Sequence, residues 1–341
     1  MEKYKQIVFI KENLAELVEG EEINLAKVPD GEVAVKTEIS TISCGTERAN
    51  IMGEKNVWGN SDFVPPFPRK LGYSSAGTVF AIGKGVSLVK VGDRVVVHGG
   101  YHKNYNIVSE EQTVKIPDEV DFSSAAITYI SAFPLAAVRK TKLEIGESCL
   151  IMGLGVLGQC AVRFARIAGA YPVIAADPKA ERRELALKGG ADYAFDSTEK
   201  GFAEKVKEIT GGGVNTCIEV TGVGAGLNGA LDCMAKLGRV ALLGCTRNKE
   251  FTIDYYKKVH YPGITLIGAH TMARPNVESY PHYWTHNDDI KAALNLIKCG
   301  RLDLKSMVSE THSPYDCAEV YNRLVFDKNF PVCVQFDWSK L

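Results

Sequence analysis

Hydrophobic and polar positions follow two different rhythms along this chain. Up to about residue 125 the apolar positions come in short β-rich runs, such as EVAVKTEIST, SAGTVFAIG and DRVVVHGG, each bounded by Gly, Pro or Asp. That pattern predicts a strand-rich first domain. From about residue 146 the rhythm becomes strand, turn, helix. SCLIMG, YPVIAAD, CIEVTG, RVALLG and ITLIGA are short apolar runs, and QCAVRFARIAGA, ERRELALKGG and GALDCMAKLG have helical spacing. Apolar strands alternating with amphipathic helices predict an α/β fold with a doubly wound parallel sheet. After residue 270 a polar, aromatic stretch (HTMARPNVESYPHYWTHNDD) precedes a helix in IKAALNLIKCG and a final strand in FPVCVQF.

Length and composition narrow the function classes. The 341 residues are enough for two domains, each with its own core. A formal net charge of −1 without a basic run speaks against nucleic acid or a membrane surface as partner. No stretch approaches the roughly 18 consecutive apolar residues of a membrane span. The start, MEKYKQIVFIKENLAEL, has no apolar core of a secretion signal. Nine cysteines, none in a C-x-x-C pair, fit reduced thiols, so a cytoplasmic protein is expected.

The most informative motif is GLGVLG, which stands between the strand SCLIM and a helix. Gly153 would make the tight turn, Gly155 would let the backbone approach a pyrophosphate, and Gly158 would permit close helix packing. The helix start that follows, with Val156 and Leu157, supplies N–H groups and a positive dipole end. Asp177 closes the second strand 19 residues after Gly158. A carboxylate there accepts from the adenosine ribose hydroxyls and repels a 2′-phosphate, so NAD is the expected cofactor. Lys179, Arg182 and Arg183 lie close enough in sequence to tolerate a phosphate, which leaves NADP open.

With these residues in view, the chain resembles the medium-chain dehydrogenase/reductase superfamily over nearly its whole length. TISCGTE is similar to the segment that carries the family's first catalytic zinc cysteine. RKLGYSSAGTVFAIGKGV and VKVGDRVVV are similar to its Gly-His-Glu segment and Gly-Asp-Arg-Val turn. The GTE and GYSSAG spellings are most similar to a branch with bacteriochlorophyllide dehydrogenase-like and sugar-operon members. The resemblance implies a GroES-like catalytic domain over 1–126 and 271–341 and a Rossmann domain over 127–270. It adds Arg182, Thr221, Gly244 and Ala269 to the expected cofactor contacts. It also implies a homodimer paired through the edge strand ITLIGA.

The zinc ligands that the family would require are replaced. Cys44 stands at the first position, Tyr73 at the histidine position with Ser74 after it, and Thr128 or Tyr129 at the third. One thiolate does not make a three-ligand site, so no metal is expected. The four-cysteine structural lobe is missing too. Either side chains supply the acid and base, or the reaction needs little oxygen activation, as in reduction of a conjugated C=C bond. Candidates for proton transfer are Thr46, which the resemblance places beside the reacting oxygen, Tyr73, and His102 or Lys103 in YHKNY. Glu47 could orient one of them or meet the substrate. His270, Arg274, Tyr283 and Trp284, with His282 and His286, lie in a stretch longer than the family's usual connection. Their aromatic faces and clustered donors suit a polyhydroxylated ring in a cleft between domains. The leading expectation is therefore an NAD-dependent, zinc-independent dehydrogenase of a sugar, cyclitol or polyol. A zinc-free quinone or enoyl reductase and a non-catalytic cofactor-binding protein are the alternatives.

Overall fold

The computed structural model describes residues 2–23, 27–55, 57, 63–248 and 250–341. Two compact units account for them, residues 1–130 with 290–341, and residues 131–289.

The first unit is built from β1 (Glu2–Lys11), β2 (Leu14–Ile23), β3 (Glu32–Thr41), α1 (Cys44–Ile51), β4 (Arg69–Lys70), β5 (Ser74–Ile82), β6 (Arg94–His98), β7 (Tyr105–Ser109), β8 (Thr113–Lys115) and α2 (Phe122–Ala125). The chain leaves it within α3 (Thr128–Lys140). One sheet runs β15-β16-β3-β5-β6-β8, with β7 also on β3, where β15 (Glu310–His312) and β16 (Val334–Asp337) come from the C-terminal segment. A smaller sheet runs β2-β1-β4. Val33, Val35, Val79, Val95 and Val97 meet in one core, the inward half of the alternating strands. A second core joins Ile7 and Phe9 of β1 to Phe336 and to Tyr321 of α9 (Cys317–Phe326).

The second unit holds β9 (Cys149–Met152), α4 (Val156–Ile167), β10 (Val173–Ala176), α5 (Ala180–Lys188), β11 (Tyr193–Phe195), α6 (Phe202–Thr210), β12 (Val214–Glu219), α7 (Gly224–Asp232), β13 (Met234–Leu242) and β14 (Thr265–Gly268). Its sheet runs β11-β10-β9-β12-β13-β14, every pair parallel, with β14 at the edge. β9 and β10 are buried at every residue because helices cover both faces, which is why they read as unbroken apolar runs. The expected fold, a Rossmann sheet plus a β-rich GroES-like domain, is the one observed.

Two boundaries differ from the sequence reading. GALDCMAKLG is not one helix: α7 stops at Asp232 and Met234 opens β13, pairing with Val214. Leu237, with φ of +61°, could not continue a helix. The stretch 271–289, read as part of the catalytic domain, groups with the Rossmann unit. The reason is a set of polar ties to α3. Lys140 Nζ donates to the carbonyls of Gly268 and Ala273, and Arg274 donates to Ala132 O at 2.9 Å. The chain returns to the first unit within α8 (His286–Lys298). Among the described residues no helix is long and apolar enough to cross a membrane.

Candidate active site

The glycine loop sits where the parallel strand order reverses, between β9 and β12, the usual crevice for a ligand in an open α/β sheet. Gly153 has φ of +95° and packs so closely on Thr221 that a Cβ would stand 2.9 Å from its methyl group. At Gly158 a Cβ would fall 1.9 Å from the Gly153 carbonyl oxygen, so helix and strand can meet there only through glycine. Gly155 caps α4 without a side-chain bond, and a Cβ on it would meet nothing within 4 Å. That open approach to the helix N-terminus, with half-exposed Leu157 and buried Val156 as the next residues, fits a pyrophosphate.

Asp177 is buried at the end of β10 and ties the loop together. Its Oδ2 accepts from Leu154 N at 2.9 Å and its Oδ1 from Lys179 N at 2.9 Å, while Arg182 Nη1 lies 3.6 Å away. Thr221, Gly244 and Ala269 follow β12, β13 and β14 along the same strand ends. Thr221 donates to the Glu219 carboxylate, and Gly244 packs on Gly222, where a Cβ would be 2.3 Å from its nitrogen. Burial lifts the Glu219 carboxyl above its usual range, although Thr221 donates to it. All ten residues expected to face the cofactor thus belong to this loop, the two helix starts beside it or these strand ends.

The second cluster surrounds the start of α1. Ser43, a residue type suited to a helix start, precedes Cys44, and Glu47 reaches back to accept from Ser43 N at 2.8 Å. The Tyr73 hydroxyl donates to Ser43 Oγ and also meets the Thr46 hydroxyl. Burial pushes the Tyr73 phenol far above the ordinary tyrosine range, against the opposing pull of the Ser43 and Thr46 hydrogen bonds. Tyr129 meets the Tyr73 ring edge-on with centroids 5.7 Å apart, and His98 stacks on Tyr129 at 5.0 Å. Cys44 Sγ lies 3.8 Å from the carbonyl oxygens of Ile42 and Val332. Among the described residues no three His, Cys, Asp or Glu side chains form a group that could hold a metal ion.

The structure therefore brings Thr46 and Tyr73 together and adds Ser43, His98 and Tyr129. The other expected groups lie elsewhere. His102 is 1% exposed, with Ser40 on one ring nitrogen and the wholly buried Glu47 on the other, so both are engaged within the interior. Lys103 sits over the rings of Tyr4 and Tyr101, and burial, with Lys70 nearby, lowers its pKa. Arg274, 2% exposed, spends its guanidinium on Asp289 at 3.1 Å, Ala132 O and Thr271 O. Trp284 lies under the Arg139 guanidinium at 3.6 Å, and Tyr283 stacks on Tyr280 at 5.2 Å. Both aromatic residues are half-buried, whereas His270 is exposed, accepting from Met272 N at 3.2 Å. Buried charge needs partners, which is why the Arg274 guanidinium is paired with Asp289 inside a stretch that is otherwise largely exposed.

Signals for the missed residues were uneven. Ser43 had a helix-start spelling, and His98 is placed opposite Ser74 by the β5–β6 register, next to Tyr73. Tyr321 reaches Glu47 across 274 residues and leaves no local trace.

Comparison with known proteins agrees with both halves. Residues 29–118 match the alcohol dehydrogenase GroES-like domain and residues 156–286 match the zinc-binding dehydrogenase model. The chain is 30% identical over 335 residues to L-threonine 3-dehydrogenase of Pyrococcus horikoshii, covering 89% of each. It is 24% identical over 348 residues to D-arabitol-phosphate dehydrogenase of Enterococcus avium, covering 92% of each. The crystal structure of 2R,3R-butanediol dehydrogenase from Bacillus subtilis superposes with a TM-score of 0.79 at 25% identity, covering 98% of this chain and 99% of that one. A glycine cradle at the strand ends, a GroES-like partner unit and these likenesses converge: the chain belongs to the medium-chain dehydrogenase/reductase superfamily, as an oxidoreductase of CH–OH groups that takes a nicotinamide cofactor.

Proposed function

We propose that the chain interconverts a secondary alcohol and its ketone on a polyol or sugar-derived substrate, with NAD(H) and without zinc. The observation that carries this reading is the Ser43–Thr46–Tyr73 hydroxyl cluster at the turn where the family would place zinc ligands. A tetrahedral zinc site needs three side chains of the Cys, His or carboxylate type, and here phenols and hydroxyls accompany Cys44. A nicotinamide, when bound, supplies or accepts the hydride. The chain's own part is the proton. Tyr73 Oη keeps its hydrogen at neutral pH and can give it to a ketone oxygen, with Ser43 and Thr46 orienting the transfer. That transfer leaves a phenolate, which regains a proton from solvent; alcohol oxidation is the reverse, starting from the phenolate, which takes up the alcohol proton.

Asp177 supports NAD over NADP. Each of its oxygens accepts one loop N–H and retains a lone pair for a ribose hydroxyl, and its charge opposes a 2′-phosphate. The edge strand β14 supports a homodimer: Leu266 is exposed on it, and Tyr255, Tyr256 and Tyr261 stand exposed on the segment leading to it.

The test is NADH formation from a panel of L-threonine, (R,R)-butanediol, D-arabitol phosphate and unphosphorylated polyols, with metal analysis of the same protein. Turnover of a polyol by protein lacking stoichiometric zinc and insensitive to chelator is expected. About one zinc per chain, lost together with activity, would overturn the metal-free reading. Activity confined to conjugated enones would overturn the alcohol reading. Sedimentation tests the pairing, and a monomer at micromolar concentration would exclude it.

A further inference from the structure

Behind the hydroxyl cluster lies a closed polar network that the proposed chemistry does not use. Glu47, fully buried, accepts from Ser43 N at 2.8 Å, from Tyr321 Oη, and from His102 Nε2 at 3.1 Å. His102 Nδ1 is 2.7 Å from Ser40 Oγ, which in turn accepts from Trp338 Nε1 at 2.8 Å. Trp338 can only donate, so it gives its hydrogen to the Ser40 hydroxyl, which keeps its own to give. In the tautomer with hydrogen on Nε2, that N–H donates to Glu47 and Nδ1 accepts from the Ser40 hydroxyl. Burial and the Glu47 charge raise the Tyr321 pKa well above the tyrosine range, so its hydroxyl stays a donor.

The same imidazole presses on the turn that carries Tyr73. His102 N donates to Leu71 O at 2.7 Å, and a Cβ on Gly72 would fall 2.3 Å from His102 Cγ. Gly72 has φ of +111°, so its contact with the ring and its backbone both require glycine. One side chain thus touches the support of Ser43, through Glu47, and the support of Tyr73, through Gly72.

We propose that His102 is a positioning residue, wedged between Glu47 and the Gly72–Tyr73 turn, that sets the contact between the Ser43 and Tyr73 hydroxyls. Its bearing on turnover rests on the reading of Tyr73 as proton carrier; its bearing on geometry does not. Tyrosine labelled with 13C at Cζ, incorporated in the full chain, reads that geometry directly. Tyr73→Phe assigns the Tyr73 line among the 14 tyrosines. His102→Leu removes both ring nitrogens, whereas His102→Gln offers an N–H to Glu47 and an oxygen to Ser40. The expected result is a Tyr73 line displaced by more than its width in His102→Leu and restored in His102→Gln. With the fastest alcohol of the panel, kcat should fall by about tenfold or more in His102→Leu while KM changes little, as for a misplaced reacting group. An unmoved line in folded His102→Leu protein would overturn the proposal. If that variant does not fold, His102→Asn carries the same test, since it withdraws the ring from Gly72 and Nε2 from Glu47: a displaced line supports the proposal and an unmoved one overturns it. Full activity in Tyr73→Phe would instead defeat the proton-carrier reading while the resonance result still decides the positioning.

Discussion

The glycine loop after β9 and the turn that opens α1 show two ways of building a site. The loop is made of backbone: Gly153, Gly155 and Gly158 matter for the side chains they lack. The turn is made of side chains, and Ser43, Thr46 and Tyr73 come together only because the residues just before β5 meet the start of α1. A backbone site demands particular residues at particular spacings, so it is spelled out in the sequence. A side-chain site can keep its place while its residues change, and here a phenol and hydroxyls stand where metal ligands would be expected.

The sharpest way to break this comparison is Tyr73→Phe. Removing a proton carrier used in the transition state should lower kcat for ketone reduction by about 10²–10⁴-fold, with the dissociation constant for NADH unchanged. Stopped-flow turnover beside fluorescence titration of NADH separates the two; equal turnover would show that the turn is packing.

Arg274→Ala comes next. It leaves Asp289, which is wholly buried, with Arg139 as its remaining charge partner, and breaking such a pair costs about 3–5 kcal/mol. Thermal and urea unfolding should show the loss. If stability is retained while KM for the alcohol rises, the guanidinium belongs to the substrate after all.

Asp177→Ser tests the loop. The ratio of NADPH to NADH dissociation constants should shrink by about tenfold, roughly the 1.4 kcal/mol of one charged contact. A ratio of one in the unmutated chain would remove the argument for NAD.

Trp284→Ala should be milder, about 0.5–2 kcal/mol of stability for the lost stacking with Arg139. Unaltered KM is expected, and a KM raised tenfold would return Trp284 to the substrate.

The smallest expected effect is one of pH. Burial raises the Tyr73 pKa, so the phenol stays protonated through and beyond the pH of about 10 at which an ordinary tyrosine ionises. The rate of ketone reduction should therefore stay level from neutrality to about pH 9, where a histidine acid would already have failed. A fall near pH 7 would overturn Tyr73 as the acid.

These cases also show how much could be read from the sequence. The sheet, its strand ends and the cofactor loop were legible because apolar runs and glycine spacing record demands that lie close along the chain. The partners of His102, Lys103 and Arg274 were not legible, for a physical reason. A polar residue in an unusual segment looks available for chemistry, yet burial recruits the same donors to hold the segment down. Arg274 meets Ala132 across 142 residues, and Tyr321 meets Glu47 across 274. Partners that distant leave no pattern for a local reading to find.

Gly155 and Gly158, three positions apart, divide the vulnerability of the chain between them. An alanine at Gly158 has to displace the Gly153 carbonyl, so the fold itself suffers. An alanine at Gly155 meets no neighbouring atom, so the fold is expected to survive it. Its methyl group would stand in the open approach to the α4 N-terminus, where a pyrophosphate is proposed to sit. A lineage could therefore shed its cofactor by one silent-looking substitution, and a well-folded descendant would carry every other mark of an enzyme.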